Sequence, residues 1–447
     1  MPIPLRLRIA TLALAAGAAT SGVSAQGVAR ARATGEFDFT GPSPWMQIRR
    51  ERIRTLLPGA MAAANVDAWV TLVRENANDP LALHVGGENA GALSAILFLR
   101  EGNSVRSVIL AGFGEAIALR ELGVHDSVVV YAAESGGPLG GVAERLKQAN
   151  AGRIAVNSGT LPTADGLSAS QRGALERALG TELSARLVSS ADLVSEWLSR
   201  KLPGEVDIMR RAAKLTARLE AEAYATVTPG VTRDSDLARF LKRRMRELGV
   251  EDGWSPAQNP SVNSGPDRGH SHASDRVIQQ GDVIQIDFGI KVHGVWGTDI
   301  QRFAYVLRDG EQAPPPDVQR KWESAVQGSR AAFAAMRPGV AGAVVDSAQR
   351  VVMQRNGSAS VPWGTGHSVG YWAHDVGPGL NRSTRRPLGP GMTFAFDGFH
   401  AWTLPGGDGT WGNGSKTISV EEMVVITETG AEFLTTPQER LILIRGR

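Results

Sequence analysis

Acidic residues inside two strand-like segments are the first feature that could carry chemistry. Residues 283–288 alternate as a β-strand that contains Asp287, and a second strand-like segment contains Asp299. A turn centred on His293 would pair the two acids on one face, with Cβ atoms about 5 Å apart. Like charges so placed destabilise a sheet unless a cation lies between them. The spacing therefore indicates a divalent metal site; the alternative is a slipped register that leaves both acids in solvent.

Three residues downstream suit the same site. His367 lies among glycines that allow close approach of the backbone, and imidazole is a common metal ligand. Asp397 and Glu421 lie within apolar strand-like segments, where acids are rarely buried unpaired. Four carboxylates and one imidazole suit two metal ions about 3.5–4 Å apart that hold and activate a water molecule. Oxygen-rich ligation favours manganese, and the chain has no Cys for a thiolate zinc site.

These residues resemble the pita-bread metallopeptidases, a family that includes Xaa-Pro aminopeptidase, prolidase, methionine aminopeptidase and the metal-free relative creatinase. Residues 299–302 are similar to the family's Asp-Ile-Thr-Arg motif. Two further histidines of the family look like His270 and His374. The resemblance covers about residues 203–435 and is closest to the two-domain Xaa-Pro aminopeptidase and prolidase branch. The family's ligand order Asp–Asp–His–Glu–Glu is similar to the series Asp287, Asp299, His367, Asp397 and Glu421.

The resemblance implies a metal-binding role for each residue of that series. Asp287 would bind one ion, and Asp299 and Glu421 would bridge both ions. His367 and Asp397 would bind the second ion. The ions would be manganese, with cobalt or zinc as alternatives, and a hydroxide that bridges them would attack the peptide carbonyl. The implied enzyme is a dinuclear metal-dependent aminopeptidase or dipeptidase, with Xaa-Pro peptides as one substrate class.

Catalytic roles are also implied for residues around the ligands. His270 would hydrogen-bond the reacting amide, and His374 would contact the substrate or the tetrahedral intermediate. Asp397 stands where the family has a glutamate that acts as general base. Arg302 would support Asp299 from outside the ligand set. Glu422 is expected to be exposed to solvent, because neighbours along a strand face opposite ways.

Three departures from the family pattern leave other functions open. Asp397 is one methylene shorter than glutamate, a loss of roughly 1.5 Å of reach. Trp363 and Ser419 replace a histidine and an arginine that are common in the Xaa-Pro branch. One alternative is a catalytically impaired homologue that binds peptides without turnover. The other is a metal-free amidinohydrolase of the creatinase type.

The elements that must position these residues fall into two parts. Residues 43–200 interleave short β-branched runs with helical segments, which predicts an α/β domain, and its first helix is expected to run from Pro44 to about Ala64. Proline and glycine at 199–204 indicate a boundary. The resemblance implies that residues 203–447 form an α+β pita-bread catalytic domain with a curved, mainly antiparallel sheet.

Composition and the N-terminus limit the compartment and the partners. Lys and Arg total 48 and Asp and Glu total 45, a balance that argues against nucleic-acid binding. Arg6 and Arg8 precede an apolar run at 9–23 and a set of small residues, which predicts a secretory signal over 1–25. Residues 26–42 are expected to be a flexible leader. We therefore expect a periplasmic or secreted protein without membrane contact after cleavage; the resemblance implies a short peptide substrate and a homodimer.

Overall fold

A computed structural model of the chain describes residues 35–131, 136–265, 271–407 and 414–446. The signal predicted at 1–25, most of the leader and His270 lie outside these residues. Within them, no helix combines the length and the apolar character needed to cross a membrane.

The first half of the described chain is a layered α/β unit. Its helices are α1 (Trp45–Thr55), α2 (Leu57–Ala63), α3 (Ala82–Val85), α4 (Ala116–Leu122), α5 (Gly137–Gln148), α6 (Ala169–Ser184) and α7 (Ala191–Ser199). Its strands are β1 (Ala68–Val73), β2 (Ser94–Glu101), β3 (Ser104–Ala111), β4 (Ser127–Val130), β5 (Ile154–Val156) and β6 (Leu187–Ser189). They form one mixed sheet in the order β4-β3-β2-β1-β5-β6. Both faces of the sheet are buried in apolar clusters, which confirms the predicted α/β layering.

The first helix differs from the prediction. Instead of one helix from Pro44 to Ala64, α1 ends at Thr55 and α2 begins at Leu57. Pro58 lies in the first turn of α2, where its missing N–H leaves no intrahelical bond unmade. Within a continuous helix its ring would clash with the carbonyl four residues earlier, so the chain has to restart there.

The second half is a mainly antiparallel sheet with four helices. The helices are α8 (Pro203–Tyr224), α9 (Asp234–Leu248), α10 (Pro316–Ala335) and α11 (Gly342–Arg355). The strands are β7 (Glu251–Asp252), β8 (Ser261–Asn263), β9 (Val283–Phe288), β10 (Ile290–Val292), β11 (Trp296–Gly297), β12 (Ile300–Val306), β13 (Gly366–Ser368), β14 (Thr393–Thr403), β15 (Ser415–Ile426), β16 (Ala431–Phe433) and β17 (Ile442–Ile444). The large sheet runs β13-β14-β15-β12-β9-β8, with β16 beside β15 and β17 beside β12. Strands β7, β10 and β11 form a separate small sheet.

The two halves share a core and a set of buried polar contacts. Arg52 of α1 forms a 2.6 Å ion pair with Glu205 of α8, and neither side chain is exposed. Lys201, between α7 and α8, pairs at 3.0 Å with Asp375 in the loop after β13. One apolar cluster contains residues from both halves. The first half therefore braces the loop that follows His367.

Candidate metal centre

The hairpin that carries Asp287 and Asp299 has a different register from the predicted one. Its turn is centred on Gly294 and not on His293, so that Val292 pairs with Trp296. His293 and Gly294 have φ values of 52° and 67°. Two successive positive φ values are typical of a turn that matches the twist of the flanking strands, and glycine adopts one of them without strain.

The register shift leaves the acids on one side of the sheet. Asp287 pairs with Gln301, not with Asp299 as predicted. Side chains alternate along a strand with a period of two, so a shift of two residues preserves the face. Asp299 lies just before β12, and its carboxylate still reaches the same cluster as Asp287.

One row of polar side chains crosses four strands of the large sheet. Asp287 pairs with Gln301, Gln301 with Glu421, and Glu421 with Asp397. Paired residues project to the same face, so three carboxylates and one amide lie in line. His367 joins them from β13, where the register places it two residues along β14 from Asp397.

Two sets of ligand atoms converge on this row. The oxygens of Asp287, Asp299 and Glu421 lie within 4.8 Å of one another, and so do ligand atoms of Asp299, His367 and His374. His367 Nε2 is 3.7 Å from Asp299 Oδ2 and 3.7 Å from Glu421 Oε1. Asp299 belongs to both sets, so its carboxylate lies where it could be shared between two bound ions.

Burial shifts the ionisation of every carboxylate in the site. Desolvation raises the pKa of Asp287 to about 7 and that of Asp397 to about 8. It raises the pKa of Asp299 and of Glu421 well above the ordinary range, and neighbouring carboxylates add to the effect. Burial and the adjacent His374 lower the pKa of His367 to about 4, so its imidazole is neutral. Neutral imidazole and clustered oxygens form the donor set that a divalent cation binds.

An unsatisfied oxygen supports the fit to a cation. Glu421 is 2% exposed, and its Oε2 accepts no hydrogen bond from the described residues. A buried carboxylate oxygen without a partner is costly, and a bound cation removes that cost. The residues therefore fit a divalent metal.

Asp397 is set apart from the other predicted ligands. Its Oδ1 accepts hydrogen bonds from Ser419 Oγ at 2.9 Å and from Gln301 Nε2 at 3.3 Å. Among the described residues it belongs to neither set of converging ligand atoms. Sequence reasoning singled out Asp397 and Ser419 but missed Gln301. The available signal was Gln301 itself, which replaces threonine in the Asp-Ile-Thr-Arg motif.

The predicted roles of Arg302 and Glu422 need correction. Arg302 does not support Asp299; it donates to Glu422 Oε2 at 2.9 Å and to the backbone carbonyl of Glu421 at 2.8 Å. Glu422 is 1% exposed and not solvated as expected. Alternation correctly separated Glu422 from Glu421, but the backbone N–H of Gln438 also donates to Glu422 at 2.7 Å. The face opposite the site is therefore buried too.

A cavity of about 710 Å³ opens above the row of carboxylates. Trp254, Gln258, His272 and Trp363 line it together with the acids and His374. Trp363, which replaces a family histidine, therefore forms part of the cavity wall. The volume falls in the range of sites that bind small ligands. His270, the other predicted catalytic histidine, lies outside the described residues.

Residues 207–428 match the model of metallopeptidase family M24. The chain is 28% identical over 298 residues to a probable dipeptidase PepE of Mycobacterium tuberculosis. The aligned segment covers 66% of this chain and 73% of that protein. It is 25% identical over 256 residues to the Xaa-Pro dipeptidase of Pyrococcus furiosus. That aligned segment covers 56% of this chain and 67% of that protein.

Two peptidases of known structure share the fold of both halves of this chain. The X-Pro aminopeptidase of Thermotoga maritima superposes with a TM-score of 0.66 at 22% identity, over 86% of this chain and all of that one. Dipeptidase PepE of Mycobacterium ulcerans superposes with a TM-score of 0.65 at 25% identity, over 90% of this chain and 99% of that one. These likenesses confirm the predicted fold class, an α/β domain followed by a pita-bread domain with a curved, mainly antiparallel sheet.

Proposed function

The chain belongs to metallopeptidase family M24, and from this premise we propose that it is a metal-dependent aminopeptidase or dipeptidase. Its substrates would be short peptides, with Xaa-Pro peptides as one class. The observation that carries the proposal is the convergence of Asp287, Asp299 and Glu421 beside His367. The relatives named as dipeptidase and Xaa-Pro dipeptidase support this substrate class.

The proposed cofactor is a pair of divalent ions, with manganese first and cobalt or zinc as alternatives. Asp287, Asp299, Glu421 and His367 would hold them. When bound, such ions polarise a carbonyl oxygen and lower the pKa of a bound water molecule toward neutral pH. The carboxylates balance the positive charge, and the neutral His367 adds a nitrogen donor without adding charge.

The remaining side chains of the cavity position the substrate. Trp254 and Trp363 supply apolar walls against which a short side chain or a proline ring can pack. His374 is the most exposed member of the two ligand sets, so its ring can contact both a bound ion and an incoming peptide. The walls exclude part of the bulk water and so strengthen the electrostatic interactions inside.

Metal removal and reloading test the activity. Protein stripped by a chelator and reloaded with manganese, cobalt or zinc should cleave members of a dipeptide panel that pairs each Xaa-Pro peptide with its Xaa-Ala counterpart. Asp287→Asn, which keeps size and removes charge, should abolish the metal response. Absence of cleavage with every metal and peptide would overturn the proposal.

A second candidate is favoured by the hydrogen bonds that hold Asp397 away from the converging ligands. In that case the protein would bind peptides without turnover. Tight peptide binding by calorimetry, with no hydrolysis before or after an Asp397→Glu substitution, would establish this candidate. Stoichiometric metal by elemental analysis would count against the metal-free amidinohydrolase.

We also propose export and dimerisation. The basic and apolar pattern of residues 1–25 supports a secretory signal, and the place of action would be the periplasm or the exterior. Mass spectrometry of the mature protein should find the chain shortened by about this signal. Light scattering of the purified protein should give the mass of a homodimer; monomer mass or an intact N-terminus would overturn the respective proposal.

A further inference from the structure

The geometry points to a substitution of ligand type in the metal centre. We propose that His374, and not Asp397, completes the second metal position together with Asp299 and His367. This inference rests on the proposed metal-dependent function, and it concerns which side chains of this chain bind the ion. The position would thus carry two imidazoles and one carboxylate.

The first argument is that Asp397 is held away. Its Oδ1 already accepts from Ser419 at 2.9 Å and from Gln301 at 3.3 Å. Ser419 lies on the neighbouring strand β15 and Gln301 on β12, one strand further, and both donate to the same carboxylate oxygen. An aspartate is also one methylene too short for the reach of a glutamate, by roughly 1.5 Å.

The backbone gives Asp397 no freedom to compensate. Its N–H donates to the carbonyl of Thr365 at 2.7 Å. Thr365 in turn donates through N–H and hydroxyl to Asp346 Oδ1, at 3.0 and 2.9 Å. A Cβ on Gly366 would lie 2.3 Å from the carbonyl of Ala395, so β13 and β14 are already in close contact. These contacts hold the strand that carries Asp397 in its position relative to β13.

The second argument is the position of His374. One of its ring nitrogens lies within 4.8 Å of ligand atoms of both Asp299 and His367. The rings of His367 and His374 are stacked, with centroids 4.3 Å apart and planes 27° apart. One nitrogen of each ring therefore lies close to the Asp299 carboxylate.

The third argument is that the loop of His374 is rigidly anchored. The neighbouring Asp375 accepts from Lys201 Nζ at 3.0 Å and from the backbone N–H of Tyr371 at 2.9 Å. It also accepts from its own neighbour Val376 at 2.7 Å. The side chains of Lys201 and Asp375 are 1% and 0% exposed. A ligand held by such contacts binds a metal without a large ordering cost.

An independent observation indicates a cation at this place. Glu421 Oε2 is buried and accepts no hydrogen bond from the described residues, while Oε1 lies 3.7 Å from His367 Nε2. The carboxylate thus has one oxygen near His367 and the other oxygen without a hydrogen bond from the described residues. A cation bound by this carboxylate would remove that deficit.

The substitution predicts unequal metal preferences. The set Asp287, Asp299 and Glu421 offers oxygen alone, which suits manganese. The set with two imidazoles suits zinc or cobalt better than manganese. We expect the two positions to fill at different concentrations, and zinc or cobalt to fill the position of His374 first.

The test counts nitrogen ligands and metal equivalents in the mature protein. Titration with cobalt is followed by calorimetry and by visible absorption, and pulsed electron paramagnetic resonance of the manganese form detects nitrogen couplings. Wild-type protein should show two imidazole couplings. His374→Ala should retain one coupling and bind the second equivalent about 100-fold more weakly, since even outer partners of ligands change affinity about 10–100-fold. Asp397→Asn should change that affinity less than about threefold, below the range of about 10–100-fold that is typical even of the hydrogen-bonded partners of ligands.

Controls separate this inference from the proposed function. His272→Ala removes another histidine of the cavity and should leave the metal stoichiometry unchanged. If wild-type protein binds no divalent metal, the proposed function itself fails. If metal binds with one imidazole coupling, and Asp397→Asn loses the second equivalent while His374→Ala keeps it, the assignment of His374 is wrong and the proposed function stands. The coupling count on wild-type protein decides the matter even if a variant does not fold.

Discussion

Asp397 is the predicted metal ligand that, among the described residues, lies outside both sets of converging ligand atoms. Extending it by one methylene, as Asp397→Glu, should bring a carboxylate toward Asp299 and Glu421. We expect the second metal to bind about tenfold more tightly, a gain of about 1.4 kcal/mol. Calorimetric titration of stripped protein measures the change. Asp397→Gln, which has the length without the charge, should show no gain; unchanged affinity in Asp397→Glu would mean that Ser419 and Gln301 retain the longer side chain as well.

Arg302 is bound on the reverse side of the same strands. Because it pairs with the buried Glu422 at 2.9 Å, Arg302→Met should leave a buried charge without its partner. We expect a loss of about 3–5 kcal/mol in the free energy of unfolding. Denaturant unfolding of metal-free protein measures it.

The matched double variant provides the control for Arg302. Arg302→Met combined with Glu422→Gln removes both charges and should recover part of the lost stability. Metal affinity should change little, since Arg302 contacts Glu421 only at the backbone carbonyl. A large loss of metal affinity with normal stability would restore the role first expected for Arg302, the support of Asp299.

At the scale of elements, sequence predicts the face of a side chain better than its partner. Asp287 and Asp299 were expected opposite each other, and they are displaced by two residues. Alternation depends on local geometry alone, so the shared face survived the error. Register depends on the turn, and positive φ at both His293 and Gly294 could not be read from composition.

Other element boundaries show the same limit. Helix α9 ends just before Gly249, because glycine adopts the left-handed conformation there. The break between α1 and α2 was missed, although Pro58 was visible in the sequence. Glu422 was placed on the correct face, but its burial depends on Gln438, which is close only in the folded chain.

A histidine just before β4 in the first half should make stability depend on pH. His125 Nδ1 lies 2.6 Å from Ser107 Oγ, and Nε2 lies 3.2 Å from the carbonyl of Gly86. Burial lowers the pKa of His125 from 6.5 to about 4. At this group the unfolded protein therefore binds more protons between these values, so the contribution of His125 to stability falls as the pH falls through that window.

The expected loss for His125 is up to about 3 kcal/mol between pH 6.5 and pH 4. Denaturant unfolding at half-unit steps of pH measures it. His125→Asn cannot take up the proton, so the difference between the variant and wild type should shrink toward acid pH. A constant difference across the window would show that His125 titrates alike in the folded and unfolded chains.

At the scale of the whole molecule, buried contacts join the first half to the metal centre. Glu205 of the second half pairs with Arg52 of the first at 2.6 Å, and accepts from Tyr371 at 2.6 Å and Trp296 at 3.2 Å. Tyr371 belongs to the loop that carries His374. Loss of the docking contact should therefore disturb the site and not only the stability.

Glu205→Gln tests this connection. The variant keeps the size of the side chain but leaves the buried Arg52 without an anion, so we expect a loss of about 3–5 kcal/mol in the free energy of unfolding. Wild-type protein should unfold in one transition, because the shared core ties the halves together. Glu432→Gln is the matched control: its pair with Arg210 is exposed and 3.4 Å long, and should matter by less than about 1 kcal/mol. Two separate transitions in wild type, or equal effects of the two variants, would show that the first half folds and holds its position without the buried pair.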